Sequence, residues 1–541
     1  MSDFINNIFR MLSSVGKWPV LFGLFFIFIF SPIYLMNYAI DDGGSYISHA
    51  FSIGLDGDLN YQNEPVTDFS RNNRLPRHPI GSGFLAAPFI TLFSLIDRIM
   101  DHPIISNHRD FLNSWTYFGF LFSVSVYFFL GIIFNLKSIK MLNIINNDLW
   151  LIVIGILSSG IPYYALVRFP MSVVFEFFTN SILLWSVIKI YYNVINGGDR
   201  LKWFVLYVSS LSLSLFVRYN NFNLVLLGPI AFLIIFLYLD DNKNAIKLNK
   251  ILMWFIFMGI ISYIPLIVFN YIMLDTFFIK PSDLYPTDLG LETHSIFYIL
   301  KFFIKSFTGL YSINFGSEMG LLYTSPYITI GAIGLFVLII KKMIVANTKY
   351  LIHLFVIILL IVFYGFGSAI SLWASDSGSS YTWRYILHCF PVSLLGIVMI
   401  YNSIKYNYVI YFRKLIIAFS IISIISLAFF ASTDKLSLND QINTFGVGKS
   451  YSGNNYMLNL PGEIIKPYNW IKCIGQSFTG FILYPYIIET KIVKKIHKDD
   501  LMKYKMRYRN VKPVIYYQSI FLFIFWIFMG YIINPYLTKR E

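Results

Sequence analysis

The sequence predicts an all-α protein that crosses a membrane many times, and three observations carry this prediction. Hydrophobic residues make up 57% of the 541 residues and charged residues only 13%, too few to cover the surface of a soluble protein of this length. Apolar runs of about 18 residues or more recur along the chain, which is the length that a bilayer core of roughly 30 Å requires. The Lys and Arg residues lie mostly in short connectors between these runs, as in cytoplasmic loops.

Twelve apolar runs are predicted as transmembrane helices. Their bounds are 19–40, 113–136, 149–168, 170–188, 202–218, 222–239, 251–274, 321–340, 351–372, 384–404, 413–431 and 513–534. Basic connectors alternate with connectors of a different character, so the positive-inside rule places the loops 41–112, 275–320 and 373–383 on the outer face. We predict a catalytic membrane module over 1–431 and a C-terminal polar region over 432–541, with one or two further transmembrane helices.

Two further segments test this topology. Ile80–Met100 is apolar enough to cross, but counting it as a span would invert every later loop, so we interpret it as interfacial or re-entrant. Its Gly81, Gly83 and Pro88 favour an irregular path. The marginal run 473–488 would be a thirteenth span, and its crossing would make the basic stretch 491–512 cytoplasmic.

Composition also bears on partners and cofactors. The net charge of +14 sits in the connectors, and no basic soluble domain stands apart, so nucleic-acid binding is not predicted. The two cysteines, Cys389 and Cys473, give neither metal-ligand spacing nor a disulfide framework. Asp56-Gly57-Asp58 has the shape of a metal-binding pair, but a polar turn explains it equally well. No metal or other cofactor is predicted.

Asp41 and Asp42 lie where the first helix meets the outer face. Two adjacent carboxylates raise one another's proton affinity, which suits one of them to work as a general base. The alternative is an N-cap and turn, since Asp-Asp-Gly-Gly is also good turn chemistry.

A cationic group follows in the same loop, just before the Ile80–Met100 segment. It consists of Arg71, Arg74, Arg77 and His78. Cations at headgroup depth beside carboxylates make a site for a phosphate leaving group, and contact with lipid headgroups is the alternative.

The third outer loop, 373–383, begins at Trp373, contains small hydroxyl residues, Tyr381 and Trp383, and is followed directly by Arg384. Aromatic rings and an Arg at a helix mouth suit sugar stacking and phosphate binding, although an aromatic belt at the interface is an equal alternative.

Charged residues also lie within or at the ends of apolar runs, where they tend to be paired or functional. Arg168 and Arg218 are close enough to the ends of their runs to reach the interface. Glu176 lies deeper, and a structural pair with one of these arginines is one interpretation. Arg218 is nevertheless included among the predicted substrate contacts.

In their order, these segments resemble the GT-C glycosyltransferases that use polyprenyl-phosphate sugars, such as the protein O-mannosyltransferases and the lipid A aminoarabinose transferases. The resemblance covers roughly residues 15–400 as short motifs, none of them specific alone. The matching motifs are Asp41–Tyr46 followed by Gly57–Asn60, His78–Pro88, Gly320–Pro326, and Trp373–Arg384 ahead of Pro391.

The resemblance implies a GT-C-like bundle of about 12–13 transmembrane helices with juxtamembrane helices on the outer face. It implies a catalytic Asp four residues before a Tyr, which favours Asp42 before Tyr46 over Asp41. A basic residue about 30 positions later, among Arg71, Arg74, Arg77 and His78, would bind the donor phosphate. The relatives often have Asp-Glu where this chain has Asp42-Gly43, so the second acidic role stays open, and Asp41 is a candidate for it.

The predicted function is therefore transfer of a sugar from a polyprenyl-phosphate donor to a glycan, lipid or protein acceptor, with inversion. Arg384 would help to hold the phosphate, and Tyr46, Trp373, Tyr381, Trp383 and Arg218 would contact substrate. A bacterial inner membrane with the site on the periplasmic face is expected, with roles in O-antigen or lipopolysaccharide modification. The alternatives are an O-antigen polymerase or ligase and a transporter or flippase.

Overall fold

The computed structural model describes a bundle of helices. The described residues are 17–30, 42–64, 75–101, 114–239, 248–278, 311, 313–315, 320–345, 350–373, 382–443 and 498–538. The helices in them are α1 Lys17–Ile29, α2 Asp42–Phe51, α3 Gly81–Ile99, α4 Trp115–Met141, α5 Trp150–Leu157, α6 Ile161–Leu166, α7 Val173–Ile195, α8 Leu201–Val217, α9 Leu227–Leu239, α10 Leu248–Leu274, α11 Leu321–Thr324, α12 Pro326–Val345, α13 Tyr350–Trp373, α14 Phe390–Ser403, α15 Tyr406–Asn443 and α16 Lys498–Thr538.

The predicted all-α, multi-pass membrane class is confirmed. Within the described residues, nine helices are long and apolar enough to cross a membrane, and three more apolar helices are shorter. Long rows of exposed Leu, Ile, Phe and Val on α10, α12 and α13 form an apolar outer surface, as expected for helices that face lipid.

The direction of each helix follows from its contacts. Helices α4 and α7 run parallel, because Phe120 packs on Phe175 near their starts and Tyr192 donates a hydrogen bond to the carbonyl of Met141 near their ends. We call the end of the bundle at which α4 and α7 start the site face, and the other end the far face. Lys342 lies at the far face, where its ammonium group donates to the carbonyl of Leu237.

The predicted span 149–168 is confirmed as a crossing but is not one helix. Leu149 follows the far-face end of α4, whereas Phe169 packs on Tyr117 at the site face. Ser158, Ser159 and Gly160 separate α5 from α6, and Pro162 occupies the first turn of α6, where its missing N–H leaves no helical bond unmade.

Helix α3 stays at the site face. A Cβ at Gly81 would lie 2.4 Å from the backbone of Phe216, at the end of α8, and at the other end Asp97 accepts hydrogen bonds from the backbone N–H groups of Trp115 and Thr116. Both neighbours belong to the site face, so α3 does not cross, although its length and composition would allow it.

The irregular path predicted for Ile80–Met100 is wrong, because α3 is one continuous helix. Its glycines serve close packing instead: Gly81 lies against α8, and a Cβ at Gly83 would lie 2.3 Å from the Cβ of His49.

Helices α15 and α16 define the C-terminal region. Helix α15 starts at the far face, where Arg413 pairs with Asp148. Helix α16 starts at the site face, because Gln518 donates to the carbonyl of Ser114 at the start of α4. The run 473–488 lies outside the described residues. The described part of the basic stretch, 498–512, precedes the apolar part of α16 and so extends from the site face, contrary to the cytoplasmic position that a single crossing would give.

Candidate active site at the site face

Asp42 lies at the centre of a cluster of charged side chains. It is the first residue of α2, where the helix N-terminus favours a negative charge. Its Oδ1 lies 2.9 Å from Nε2 of His78, and its Oδ2 lies 3.0 Å from Nη1 of Arg384. Because 23% of the Asp42 side chain is still exposed, a substrate can reach this carboxylate.

The electrostatics keep Asp42 ionised. Burial raises the pKa of this carboxyl, but the charge of His78, the hydrogen bond from His78 and the charge of Arg384 outweigh burial and hold the pKa well below its usual range. A carboxylate held by Arg384 and hydrogen-bonded to His78 is a weak base. This arrangement therefore suits a resting site in which a bound substrate replaces Asp42 as the partner of these two side chains.

His78 is fixed through its backbone by His49. Nε2 of His49 lies 2.8 Å from the carbonyl oxygen of His78, and Nδ1 of His49 lies 2.8 Å from the hydroxyl of Tyr61. A carbonyl can only accept, so Nε2 donates and Nδ1 accepts from Tyr61. Burial lowers the pKa of His49 to about 4, which keeps this ring neutral.

Three contacts with Tyr385 and Met171 hold the Arg384 side chain in place. Its Nη2 donates to the hydroxyl of Tyr385 at 2.8 Å, its guanidinium group lies 4.8 Å from the centroid of the Tyr385 ring, and its Nη1 lies 3.6 Å from Sδ of Met171. Burial lowers the pKa of Arg384, but Tyr385 and Asp42 raise it more, so this side chain stays charged.

Arg218 contacts the same Tyr385 ring. Its guanidinium group lies 4.7 Å from the Tyr385 ring, and its Nη1 donates to Oε2 of Glu176 at 2.7 Å and to the carbonyl of Arg384 at 3.4 Å. The Arg218 and Glu176 side chains are 9% and 1% exposed, so the pair is buried. The geometry supports the structural pair with Glu176, whereas the predicted substrate contact at Arg218 stays a prediction.

His388 and Asn223 fix the backbone beneath Tyr385, and neither was singled out from the sequence. Nδ1 of His388 donates to the carbonyl of Tyr385 at 2.8 Å, and Nε2 accepts from the amide group of Asn223 at 2.7 Å. The spacing of His388 four residues after Arg384 is the signal in the sequence that could have drawn attention to it.

The other predicted site residues fall into three groups. Tyr46 is buried, with its ring centroid 5.4 Å from that of His78, so it lies behind the site rather than open to substrate. Arg77 and Trp383 are half-buried beside His78 and Arg384 in the chain. Outside the described residues lie Asp41, Arg71, Arg74, Tyr381 and the side chain of Trp373.

The acidic residues farther along the first loop form a turn. Gly57 has a φ of 72°, and Asp58 accepts hydrogen bonds from Ser52 and from the backbone N–H of Asn60. Asp56 accepts from the amide group of Asn63. In the part of the chain that the structure describes, no group of three His, Cys, Asp or Glu side chains is arranged to hold a metal ion.

Known proteins resemble the chain only distantly. No protein-family model matches the sequence, and no curated protein matches it. Among solved structures, it is similar to ArnT from Cupriavidus metallidurans bound to undecaprenyl phosphate, with a TM-score of 0.39, 11% identity, and coverage of 97% of this chain and 78% of that chain. The apo form of that protein gives a TM-score of 0.37 at 11% identity and the same coverage.

The oligosaccharyltransferase AglB from Archaeoglobus fulgidus, in complex with an inhibitory peptide and a dolichol-phosphate, gives a TM-score of 0.36 at 12% identity. That match covers 92% of this chain and 59% of that chain. All three TM-scores lie below 0.5, so the function rests on the residues of this chain.

Proposed function

We propose that this protein is a membrane glycosyltransferase that moves a sugar from a polyprenyl-phosphate donor to an acceptor hydroxyl or amine at the site face. The observation that supports it best is the position of Asp42, partly exposed and within 3.0 Å of His78 and Arg384. Sugar transfer needs a base for the acceptor and cations for a departing phosphate, and these groups meet at one point.

The reaction balances without a redox partner. The acceptor oxygen or nitrogen attacks the anomeric carbon and forms the new glycosidic bond, while the bond from that carbon to the phosphate oxygen breaks. The electron pair of the broken bond leaves with the polyprenyl phosphate, and the acceptor proton goes to the carboxylate of Asp42. One displacement at one carbon inverts the anomeric configuration.

The ion pairs of the resting site explain how Asp42 becomes a competent base. A donor phosphate is a better partner for the Arg384 guanidinium and for His78 than for any carboxylate beside it. As the phosphate takes over these contacts, the charges that lower the pKa of Asp42 are shared with it, and the proton affinity of Asp42 rises. The donor thus activates the base that deprotonates the acceptor.

The proposal extends to the surroundings of the reaction. In this proposal a lipid donor enters laterally from the bilayer, and the site face is the outer, periplasmic side of a bacterial inner membrane. The basic far-face connectors support that orientation through the positive-inside rule. The acceptor is a glycan, lipid or protein of the cell envelope. No cofactor is part of the proposal, so activity is expected to survive chelation by EDTA.

A transporter is the rival of a different class, because broken helices carry the binding sites of many transporters. The break between α5 and α6 is filled by the protein itself. The backbone N–H of Gly160 donates to Ser325, and the carbonyl of Ser158 accepts from Ser423. These backbone groups are therefore not free to bind a transported substrate.

The experiment that tests the proposal uses purified full-length protein in proteoliposomes with a panel of radiolabelled polyprenyl-phosphate sugars and envelope acceptors. We expect label to appear in an acceptor with stoichiometric release of polyprenyl phosphate, and the product to have the inverted anomeric configuration by NMR. Movement of the intact labelled lipid between leaflets without bond cleavage would contradict the proposal and indicate a flippase.

A further inference from the structure

Thr382 has an unusual backbone conformation two residues before Arg384. Its φ is 59°, in the left-handed region that β-branched residues rarely adopt because their Cβ substituents crowd the backbone. Such residues persist only where the surrounding structure imposes the conformation, and they cluster at functional sites. Contacts with neighbouring residues must therefore hold Thr382 in this conformation, and the conformation is expected to serve a function.

Two contacts of the Thr382 side chain supply the constraint. Its Oγ1 lies 3.0 Å from the hydroxyl of Thr324 and 3.5 Å from that of Ser325, at the junction of α11 and α12. Its methyl group lies against Gly160, because a Cβ added to Gly160 would be 2.0 Å from Cγ2 of Thr382. Thr382 is buried, so both contacts are shielded from water.

Gly160 connects Thr382 to the break between α5 and α6. Its N–H donates to Ser325 at 2.9 Å, the same serine that faces Thr382. The φ of Gly160 is −69°, which any residue adopts, so conformation does not require glycine here. The requirement is space, since only a hydrogen leaves room for the Thr382 methyl group.

We propose that Gly160 and Thr382 are positioning residues that aim Arg384 at Asp42. A single left-handed residue turns the chain sharply, and two residues later Arg384 faces the carboxylate. The helix break, the α11–α12 junction and the last outer loop meet at Thr382, so they set the direction of that turn. This inference rests on the proposed function, since it assigns these two residues a part in holding the phosphate-binding cation.

The decisive experiment asks whether Thr382→Ser rescues the effect of Gly160→Ala. Gly160→Ala places a methyl group where Cγ2 of Thr382 lies and displaces the turn. Thr382→Ser keeps the hydroxyl but removes Cγ2, and the next nearest atom to the new Cβ would be Cβ of Thr382 at 3.1 Å. Gly160→Ala combined with Thr382→Ser therefore removes the 2.0 Å clash and leaves a 3.1 Å approach, which a shift of a few tenths of an ångström relieves.

We expect Gly160→Ala to lower kcat/KM for the polyprenyl-phosphate sugar about 100-fold, the loss expected for a displacement of about 1 Å. The loss should include a raised donor KM. The double variant should recover to the level of Thr382→Ser alone, which a general loss of stability would not produce. A double variant as inactive as Gly160→Ala, or a Gly160→Ala variant with wild-type kinetics, would overturn the inference.

Structures of the same variants by cryo-electron microscopy separate this inference from the proposed function, since they need no activity. We expect the Arg384 to Asp42 distance to lengthen in Gly160→Ala and to return in the double variant, even if the wild type transfers no sugar. An unchanged distance between Arg384 and Asp42 in Gly160→Ala would overturn this inference without contradicting the proposed function. If Gly160→Ala does not fold, Thr382→Gly is the alternative variant. Glycine tolerates a positive φ but loses both side-chain contacts, so we expect a higher donor KM in Thr382→Gly than in Thr382→Ser. Equal donor KM values in these two variants would contradict the inference.

Discussion

The Asp42 carboxylate and the Arg384 guanidinium lie 3.0 Å apart, although Asp42 belongs to the first predicted outer loop and Arg384 directly follows the third. Separate contacts position each of these two side chains. Asp42 is the first residue of α2 and lies beside His78, whereas Arg384 packs on the Tyr385 ring, which Arg218 also contacts. Two independently supported side chains that meet at one point form a preorganised site.

Arg384→Lys should separate the contribution of the Arg384 charge to donor binding from that of its planar shape. Lysine keeps the positive charge but loses the planar fork and the stacking on Tyr385. Hydrogen bonds to charged groups contribute about 1.5–3 kcal/mol, so we expect kcat/KM for the donor to fall about tenfold to a hundredfold, chiefly through KM. Kinetics with varied donor concentration measure it. Arg98→Lys, at an exposed position at the end of α3, is the matched control and should match the wild type.

The buried pair of Glu176 and Arg218 predicts a particular order of stabilities. Glu176→Gln leaves the Arg218 charge buried without its partner, which costs about 3–5 kcal/mol, whereas apolar replacement of both partners costs far less. We therefore expect thermal unfolding in detergent to occur at a lower temperature for Glu176→Gln than for a double variant with Glu176→Leu and Arg218→Met. Unfolding of the single variant at the wild-type temperature would show that the pair contributes nothing.

The neutral ring of His49 predicts a pH dependence of stability. The pKa of His49 is lowered to about 4 by burial, while the unfolded chain takes up this proton near pH 6.5. Between these values the unfolded state binds more protons, so the stability that neutral His49 gives above pH 6.5 is lost as the pH falls toward 4. The variant His49→Gln lacks this titration.

The measurement for His49 is the difference in unfolding temperature between the wild type and His49→Gln. We expect this difference, in favour of the wild type near pH 7, to shrink as the pH is lowered to about 4.5. Parallel curves for the two proteins would mean that His49 does not titrate differently in the folded and unfolded states.

Much of the fold could be predicted because a bilayer imposes simple demands on sequence. In the described residues, eight of the twelve predicted spans coincide with helices long and apolar enough to cross, and three coincide with shorter apolar helices. The match follows because only apolar helices satisfy their own backbone in lipid. The helical regularity of α3 could not be predicted, because the glycines that indicated irregular structure serve packing on α8 and His49. The break after Leu157 was missed because apolar residues flank it on both sides.

The site was predictable where short motifs mark the chemistry and unpredictable where tertiary contacts decide it. Asp42, His78 and Arg384 stand in recognisable segments, and the structure brings them together. The sequence suggested that Glu176 pairs with Arg168 or Arg218, but only the structure shows that the partner is Arg218. Which arginine contacts Asp42 and which pairs with Glu176 depends on tertiary packing that no motif records.

Asp42→Asn measures the central claim most directly. Asparagine keeps the shape of Asp42 but cannot take the acceptor proton, and a positioned base contributes about 10²–10⁴-fold. We predict that kcat for transfer from a polyprenyl-phosphate sugar falls by that factor with the unfolding temperature preserved. The control Asp101→Asn, at an exposed position with a φ of 51° that asparagine tolerates, should keep wild-type turnover. Turnover of Asp42→Asn close to that of the wild type would contradict the account.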